Sequence, residues 1–334
     1  MKLERFIYPV GQGGFAVERI GNYTVVYDCG SISSLGMVEH CIDHLAQEVK
    51  CVDVLFISHF DKDHVNSIKY LLGRLTVYRA VISLIPNNLK TAFGVYTDGG
   101  YTRIRALLDD RRVEVDEVGD DGASKSYGSK DIWEWIAKSM MTQEELYDVS
   151  SYLEYLNVDM IRLSEDPDYI EAYKGVINHA FKRIFGNSGP NAKGLIVLSQ
   201  RCGHTVTNKT VVYEGCELCR NKPSRLAYKE SSCLYVGDAD LKNRSNKKMV
   251  KDLLDKCSTE SPLLLMQIPH HGSKYNVGTR FENDYVSHLY FVNDRNTKRI
   301  EKNKSFYSSL TNNQKLLVSG SDCHNIIVTK TEII

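Results

Sequence analysis

Three apolar runs, "VDVLFIS" (52–58), "SSCLYVGDAD" (231–240) and "PLLLMQIPHHG" (262–272), each lead straight into histidine or aspartate. Short runs of this kind, bounded by polar clusters, suit strands buried on both faces. Their polar endings are His59-x-Asp61-x-Asp63-His64, then Asp238, then His270-His271-Gly272-Ser273. Strand ends share one edge of a sheet, so groups distant in sequence can converge there. Three such endings could gather the chain's chemistry along one sheet edge.

The remaining pattern fits that frame. Residues 6–31 read as two or three short strands punctuated by a Gly-rich turn and "GN". A helix is expected over 35–49, where Val38, Cys41, Leu45 and Val49 share a face. Val65, Ile68, Leu72 and Leu75 predict another, and "RAVISLIP" (79–86) a second buried strand. From about 100 to 187 the sequence is charged and reads as a mostly helical insertion. Within it "DIWEWIAKSM", "TQEELYDVSSYLEYL" and "YIEAYKGVINHAFKRIF" are expected as successive helices. Strand character returns at 193–202 and 209–215, and the end reads as two last strands.

Composition restricts the partners. With 42 Lys+Arg against 42 Asp+Glu the formal charge is zero, so nucleic-acid affinity must come from local patches. No stretch approaches the ~20 apolar residues of a membrane span, and no membrane partner is expected. The N-terminus lacks a signal peptide's apolar core and is read as the mature start. Nine scattered cysteines then favour reduced thiols and a cytoplasmic protein.

Imidazoles and carboxylates together suit a divalent ion. Five or more such groups suit a pair of ions ~3.5–4 Å apart, bridged by a carboxylate and a hydroxide. Taken singly, Asp63 or Ser58 reads as a helix cap, "GD" as a turn and "HHG" as a loop. It is their joint occurrence at strand ends that points to metal.

This combination resembles the metallo-β-lactamase superfamily, whose signature is a strand followed by H-x-H-x-D-H, a later "GD", and a last strand ending in histidine. "VGQGGF…VVYDCGS", with its Asp28-Cys29-Gly30 turn, is similar to the family's N-terminal hairpins. More narrowly, "SHFDKDH" and "IPHHGSKYN" resemble the soluble domain of competence DNA-uptake channel proteins. The resemblance covers about 1–90 and 190–334 and implies a single αββα domain over 1–334, with the helical insertion outside the match. It implies that His59 and Asp61 hold a first metal, that Asp63, His64 and His271 hold a second, and that Asp238 bridges them. His270 is then an alternative ligand or a nearby acid. The third histidine that many members supply to the first metal has no counterpart here. Asn191 is the closest polar residue to its place, and the resembled branch lacks that histidine too.

A second metal reading concerns residues 202–233. Cys202, His204, Cys216, Cys219 and Cys233 bracket a hairpin-like insert with a C-x-x-C pair, a set that can form a structural zinc site. Alternatively Cys233 faces a core. His204 is a poor substitute for the missing catalytic-site histidine, because "CGHT" follows its strand instead of preceding it.

The expected chemistry is hydrolysis through a hydroxide held by two ions, manganese, zinc or magnesium. Asp63 or Asp238 would orient it, and His270 would protonate the leaving oxygen. Lys274 and Tyr275 are alternative leaving-group stabilisers, or simply an exposed loop. Asp61 in place of a histidine makes the first site harder and moves preference from zinc toward manganese or magnesium. Basic clusters at 241–251 and 293–304 adjoin the metal edge and suit a polyanion. The expectation is a phosphodiesterase or nuclease acting on DNA before RNA or a cyclic nucleotide. The rivals are a hydrolase of a small ester, thioester or lactam, and a non-catalytic scaffold. The helical insertion is expected to serve as a lid or a protein-docking surface.

Overall fold

The computed structural model describes residues 1–120, 124–129, 132–186, 189–202, 207–214, 224–277, 281–294, 307–308, 310, 316–320 and 326–333. In chain order the first elements are β1 (Lys2–Ile7), β2 (Gly13–Ile20), β3 (Tyr23–Ser31), α1 (Leu35–Glu48), β4 (Cys51–Phe56), α2 (Lys62–Val65), α3 (Ile68–Arg74) and β5 (Thr76–Ser83). Next come α4 (Lys90–Tyr96), α5 (Gly100–Asp110), β6 (Glu114–Val118), β7 (Lys125–Ser129), β8 (Trp133–Ser139), α6 (Gln143–Tyr155), α7 (Met160–Glu165) and α8 (Pro167–Phe185). The last are β9 (Leu195–Arg201), β10 (Thr207–Glu214), β11 (Ser224–Tyr228), β12 (Cys233–Tyr235), α9 (Arg244–Cys257), β13 (Leu263–Gln267), α10 (Phe281–Asp284), β14 (Ser287–Asn293), β15 (Leu316–Ser319) and β16 (Ile327–Ile333).

The strands form two sheets, one ordered β11-β10-β16-β1-β2-β3-β4-β5-β6 and the other β15-β14-β13-β12-β9-β8-β7. β3 to β6 run parallel in the first, and β12 to β15 run parallel in the second. The sheets pack face to face over a core that includes Val54, Val81, Trp133, Trp135, Val197 and Leu265. Helix α1 buries Val38, Cys41, Ile42 and Leu45 against the first sheet's other face, in one apolar cluster with residues of α3 to α8. Val250 and Leu253 of α9 pack on Leu234 and Met266 of the second sheet. The layers are therefore helix, sheet, sheet, helix: the αββα sandwich.

One polar network crosses the core. Arg5 and Glu18, 0% and 3% exposed, pair at 2.7 Å. Glu18 also accepts from Trp135 Nε1 at 2.8 Å, Ser199 Oγ at 2.5 Å and Tyr235 Oη at 2.7 Å. Each of these donors lies on the second sheet, so one carboxylate ties the layers together.

Two expected helices differ. "DIWEWIAKSM" is largely strand β8, because Trp133, Trp135 and Ala137 alternate into the core while Glu134 and Lys138 face outward. That two-residue period overrides the helical reading. The helix expected through Val65–Leu75 breaks after α2, where Asn66 bonds both the amide and the carbonyl of Ser31, at 3.0 and 2.7 Å. The Ser67 amide meets Cys29 O at 3.0 Å, so the break fastens α2 to β3. Strands β6, β7, β11 and β14 were not expected. Among the described residues no helix is long and apolar enough to cross a membrane.

Candidate metal centre

β4 leaves its sheet at Phe56, and Phe60 turns inward, 3% exposed, with ring contacts to Tyr101 and Phe93. Its anchoring leaves His59 and Asp61 to the opposite side of the chain. Asp61 occupies the N-cap position of α2, whose four residues include Asp63 and His64. From the other sheet, the turn after β12 is held by Gln267, whose Oε1 accepts the amides of Val236 and Gly237 at 2.9 Å. Gly237 has φ +52°, and a Cβ there would stand 2.8 Å from Ser58 Cβ. Only glycine fits this close crossing, which carries Asp238 to the site. His270 and His271 follow β13 with φ of +51° and +52°. Left-handed backbone at non-glycine residues costs about 1 kcal/mol or more each, strain that concentrates at working sites.

The side chains converge. Nε2 of His271 lies 3.0 Å from Asp63 Oδ2 and 3.9 Å from Asp238 Oδ1. Nε2 of His64 lies 3.4 Å from Asp238 Oδ1, and Nε2 of His59 lies 3.8 Å from Asp238 Oδ2. Asp238 thus stands between the imidazoles. His59, Asp63 and His64 form one group able to hold an ion, and His64, Asp238 and His271 form a second. Asp61 and His270 belong to neither group. Asp61 is 44% exposed, with Oδ2 3.8 Å from His59 Nε2, and its Oδ1 accepts from Asn191 Nδ2 at 2.8 Å. His270 stands at the rim, 40% exposed, with Nδ1 3.9 Å from Asp238 Oδ2.

Behind the ligands sits Asp28, fully buried at φ +55°. It accepts from the Ser58 amide, the Ser58 hydroxyl and His64 Nδ1, each at 2.7 Å. Ser58 Oγ in turn meets His59 Nδ1 at 2.9 Å. His271 Nδ1 donates to Asn293 O at 3.0 Å. With Nδ1 engaged in this way, each Nε2 is the nitrogen turned to the site.

Charge follows from this packing. Burial alone would neutralise His64, but Asp28 and Asp238 outweigh it and raise the imidazole well above its ordinary value. Burial would likewise raise Asp63, yet the hydrogen bond from His271 and the nearby His64 lower it to about 2. Asp238 is fully enclosed and is nonetheless held well below the carboxylate range by His64 and His271. Both carboxylates stay ionised at neutral pH and need cationic company.

A divalent ion fits this donor set. Among the described residues, Nε2 of His59 and Nε2 of His64 are buried without a hydrogen-bond partner, and both belong to the ligand groups. Orphaned buried nitrogens are costly unless something else occupies them. An ion taking ligands at ~2.1 Å would occupy them.

No protein-family model matches the sequence, and no curated protein matches it. Solved structures do match the fold. Against CmlA β-hydroxylase, in a mutant form, the TM-score is 0.50 at 10% identity, covering 98% of this chain and 53% of that one. A diphosphatase of the PhnP family gives 0.45 at 7% identity, covering 98% and 97%. Rm3 metallo-β-lactamase gives 0.34 at 11% identity, covering 93% and 94%. The chain has an αββα sandwich, similar in fold to these structures. At these identities the likeness is one of fold alone.

Within that fold, the orienting residues Asp28, Gln267 and Asn293 were not assigned from sequence. Gln267 had a signal, as a lone amide closing an otherwise apolar strand. For the expected zinc knuckle, Cys216, Cys219 and His204 lie outside the described residues. Cys233 faces the core between the sheets at 0% exposure, where burial pushes its thiol up to about 12. It is a core residue, because β12 is central in its sheet. Cys202 is buried at the end of β9.

Proposed function

We propose that this protein is a metal-dependent hydrolase of phosphodiesters, a nuclease acting on DNA, akin to the soluble domain of competence DNA-uptake channel proteins. The observation that carries the reading is the donor set at the sheet edge. Three carboxylates, Asp61, Asp63 and Asp238, stand among the imidazoles of His59, His64 and His271. So oxygen-rich a set favours manganese or magnesium over zinc, and phosphodiesters are their usual substrates. Bound divalent ions would supply a nucleophile from water near neutral pH and draw charge from the phosphoryl oxygens.

The chain's own residues do the rest. Asn191 holds one oxygen of Asp61 and leaves the other facing His59. Asp238 spans both ligand groups by its two oxygens. His270, at the rim and open to solvent, would give a proton to the departing oxygen. The test is metal analysis of purified protein, joined to cleavage of single- and double-stranded DNA, RNA and a simple phosphodiester with manganese, magnesium or zinc. Asp63→Ala and Asp238→Ala should abolish cleavage and lower metal content. Equal activity in these variants, or no bound metal under any condition, sinks the proposal. Activity confined to carboxylic esters or lactams assigns the fold a different substrate here.

A further inference from the structure

Beyond the metal groups, one surface stands directly beside them. Tyr275 is 74% exposed, four residues past His271. The loop bearing it is tightly held. Ser273 N meets His270 O at 3.0 Å, Asn276 N meets Ser273 O at 3.0 Å, and Tyr275 N meets Ser273 Oγ at 3.4 Å. Asn276 and Val277, 5% and 0% exposed, anchor its far side. The loop is joined to the Asp238 turn, since Leu241 N donates to Asn276 O at 2.8 Å and Asn276 Nδ2 reaches Asp238 O at 3.4 Å. An exposed ring is thus carried on backbone that also shapes the ligand turn.

Its neighbours are cationic. Lys242 Nζ and Lys274 Nζ lie 5.7 and 5.5 Å from the ring centroid. Arg244 and Lys248 of α9 are also exposed. The nearby Asp240 is turned back onto the Lys242 amide, at 3.0 Å. Tyr78, Tyr147 and Tyr155 are comparably exposed at 57%, 72% and 78%. Among the described residues none of those three rings carries such a cation, and none adjoins a ligand turn.

We propose that Tyr275, with Lys242 and Lys274, is a binding platform for single-stranded nucleic acid, the ring stacking on a base while the lysines meet the flanking phosphates. The inference rests on the phosphodiesterase reading of the metal edge. An exposed aromatic face suits any base, whereas duplex bases are already stacked on each other. Flexible lysine stems can swing from the ring to the backbone without moving the platform.

The test is fluorescence anisotropy of a labelled oligothymidylate and of a duplex of equal length, using full-length protein in chelator so that binding is read apart from cleavage. Tyr275→Ala should weaken oligothymidylate binding about ten-fold, and Tyr275→Phe should restore it. Lys274→Ala should flatten the dependence of log affinity on log salt by about 0.7. Unchanged oligothymidylate binding in Tyr275→Ala overturns the platform, as does wild-type preference for the duplex. If oligothymidylate binds as expected but no phosphodiester is cleaved with any metal, the platform stands and the hydrolase reading fails.

Discussion

Replacing Asp28 by Asn keeps the size of the side chain and tolerates φ +55°, so the perturbation is confined to hydrogen bonding. Asp28 accepts at both oxygens: Oδ1 from the Ser58 amide, Oδ2 from the Ser58 hydroxyl and from His64 Nδ1, each at 2.7 Å. An amide group can satisfy only one of these positions as an acceptor. With its NH2 toward Ser58 N, two donors face each other in a site with no access to water. With its NH2 toward His64, Nδ1 must give up its proton, and the proton moves to Nε2, the nitrogen that faces the ligand group. Either arrangement removes a charge-assisted bond, worth about 1.5–3 kcal/mol. Loss of such an orienting partner weakens metal binding by roughly 10–100-fold, the same range. The assay is competition of manganese and zinc against a chromogenic chelator, with urea unfolding of the metal-free protein alongside. Asp28→Asn should raise the metal Kd by at least ten-fold and lower stability by about 1–3 kcal/mol. A Kd within two-fold of wild type, at unchanged stoichiometry, would refute the claim that Asp28 sets the His64 tautomer.

Other outcomes follow from the same contacts. Asn191→Ala should cost about five-fold at most in metal affinity while leaving the fold intact, since Asp61 is partly exposed and water can replace the amide; competition titration and thermal melting check both halves. Glu18→Ala should destabilise by about 3–5 kcal/mol in urea, because it strands the Arg5 guanidinium in the core; joint replacement by Arg5→Met and Glu18→Leu should recover only part of the loss, because Trp135 Nε1, Ser199 Oγ and Tyr235 Oη still lose their acceptor. In chelated protein His64, raised in the fold, contributes stability present below its unfolded value of about 6.5 and lost as pH rises toward its folded value. Asp63, lowered to about 2, contributes stability present above about 3.9 and lost as pH falls to about 2. Melting temperature without metal should therefore be highest near pH 4–6.5 and decline above it. With manganese the trend above pH 6.5 should reverse, because metal competes with the proton on His64.

The convergence of His59, Asp63, His64, Asp238 and His271 was legible because strand ends are legible. An apolar run closing on His59 or Asp238 marks both an element and its exit point, and parallel strands bring their exits to one edge. What surrounds the ligands was less so. Asp28 lies in a strand 30 residues from Ser58, and its orienting role depends on a register that no local pattern encodes. Asn191 was picked out only as the polar residue nearest a missing histidine, and its bond to Asp61 spans 130 residues. Trp133 and Trp135 were misread as helical because their charged neighbours Glu134 and Lys138 hid the alternation. The helix break at Asn66 was invisible for a related reason, since the bond to Ser31 competes with a helix that the apolar spacing would continue.

The position of the site between the sheets gives the polar core its meaning. His59, Asp61, Asp63 and His64 descend from the first sheet, whereas Asp238 and His271 descend from the second. Their mutual distances therefore depend on how one sheet is seated on the other, and apolar packing alone tolerates small slips. Directional contacts do not. Arg5 and Glu18 on the first sheet bind Ser199, Trp135 and Tyr235 on the second. Closer to the edge, Tyr27 stacks on Tyr235 at 4.7 Å and donates to Leu195 O at 3.2 Å. Tyr27 lies one residue before Asp28, and Tyr235 lies three before Asp238. The contacts that lock the two layers are thus continuous, along β3 and β12, with the residues that orient and form the metal groups. A buried ion pair adds little net stability compared with an apolar substitute. Its value here is register, because an edge site assembled from two sheets can be no more exact than their alignment.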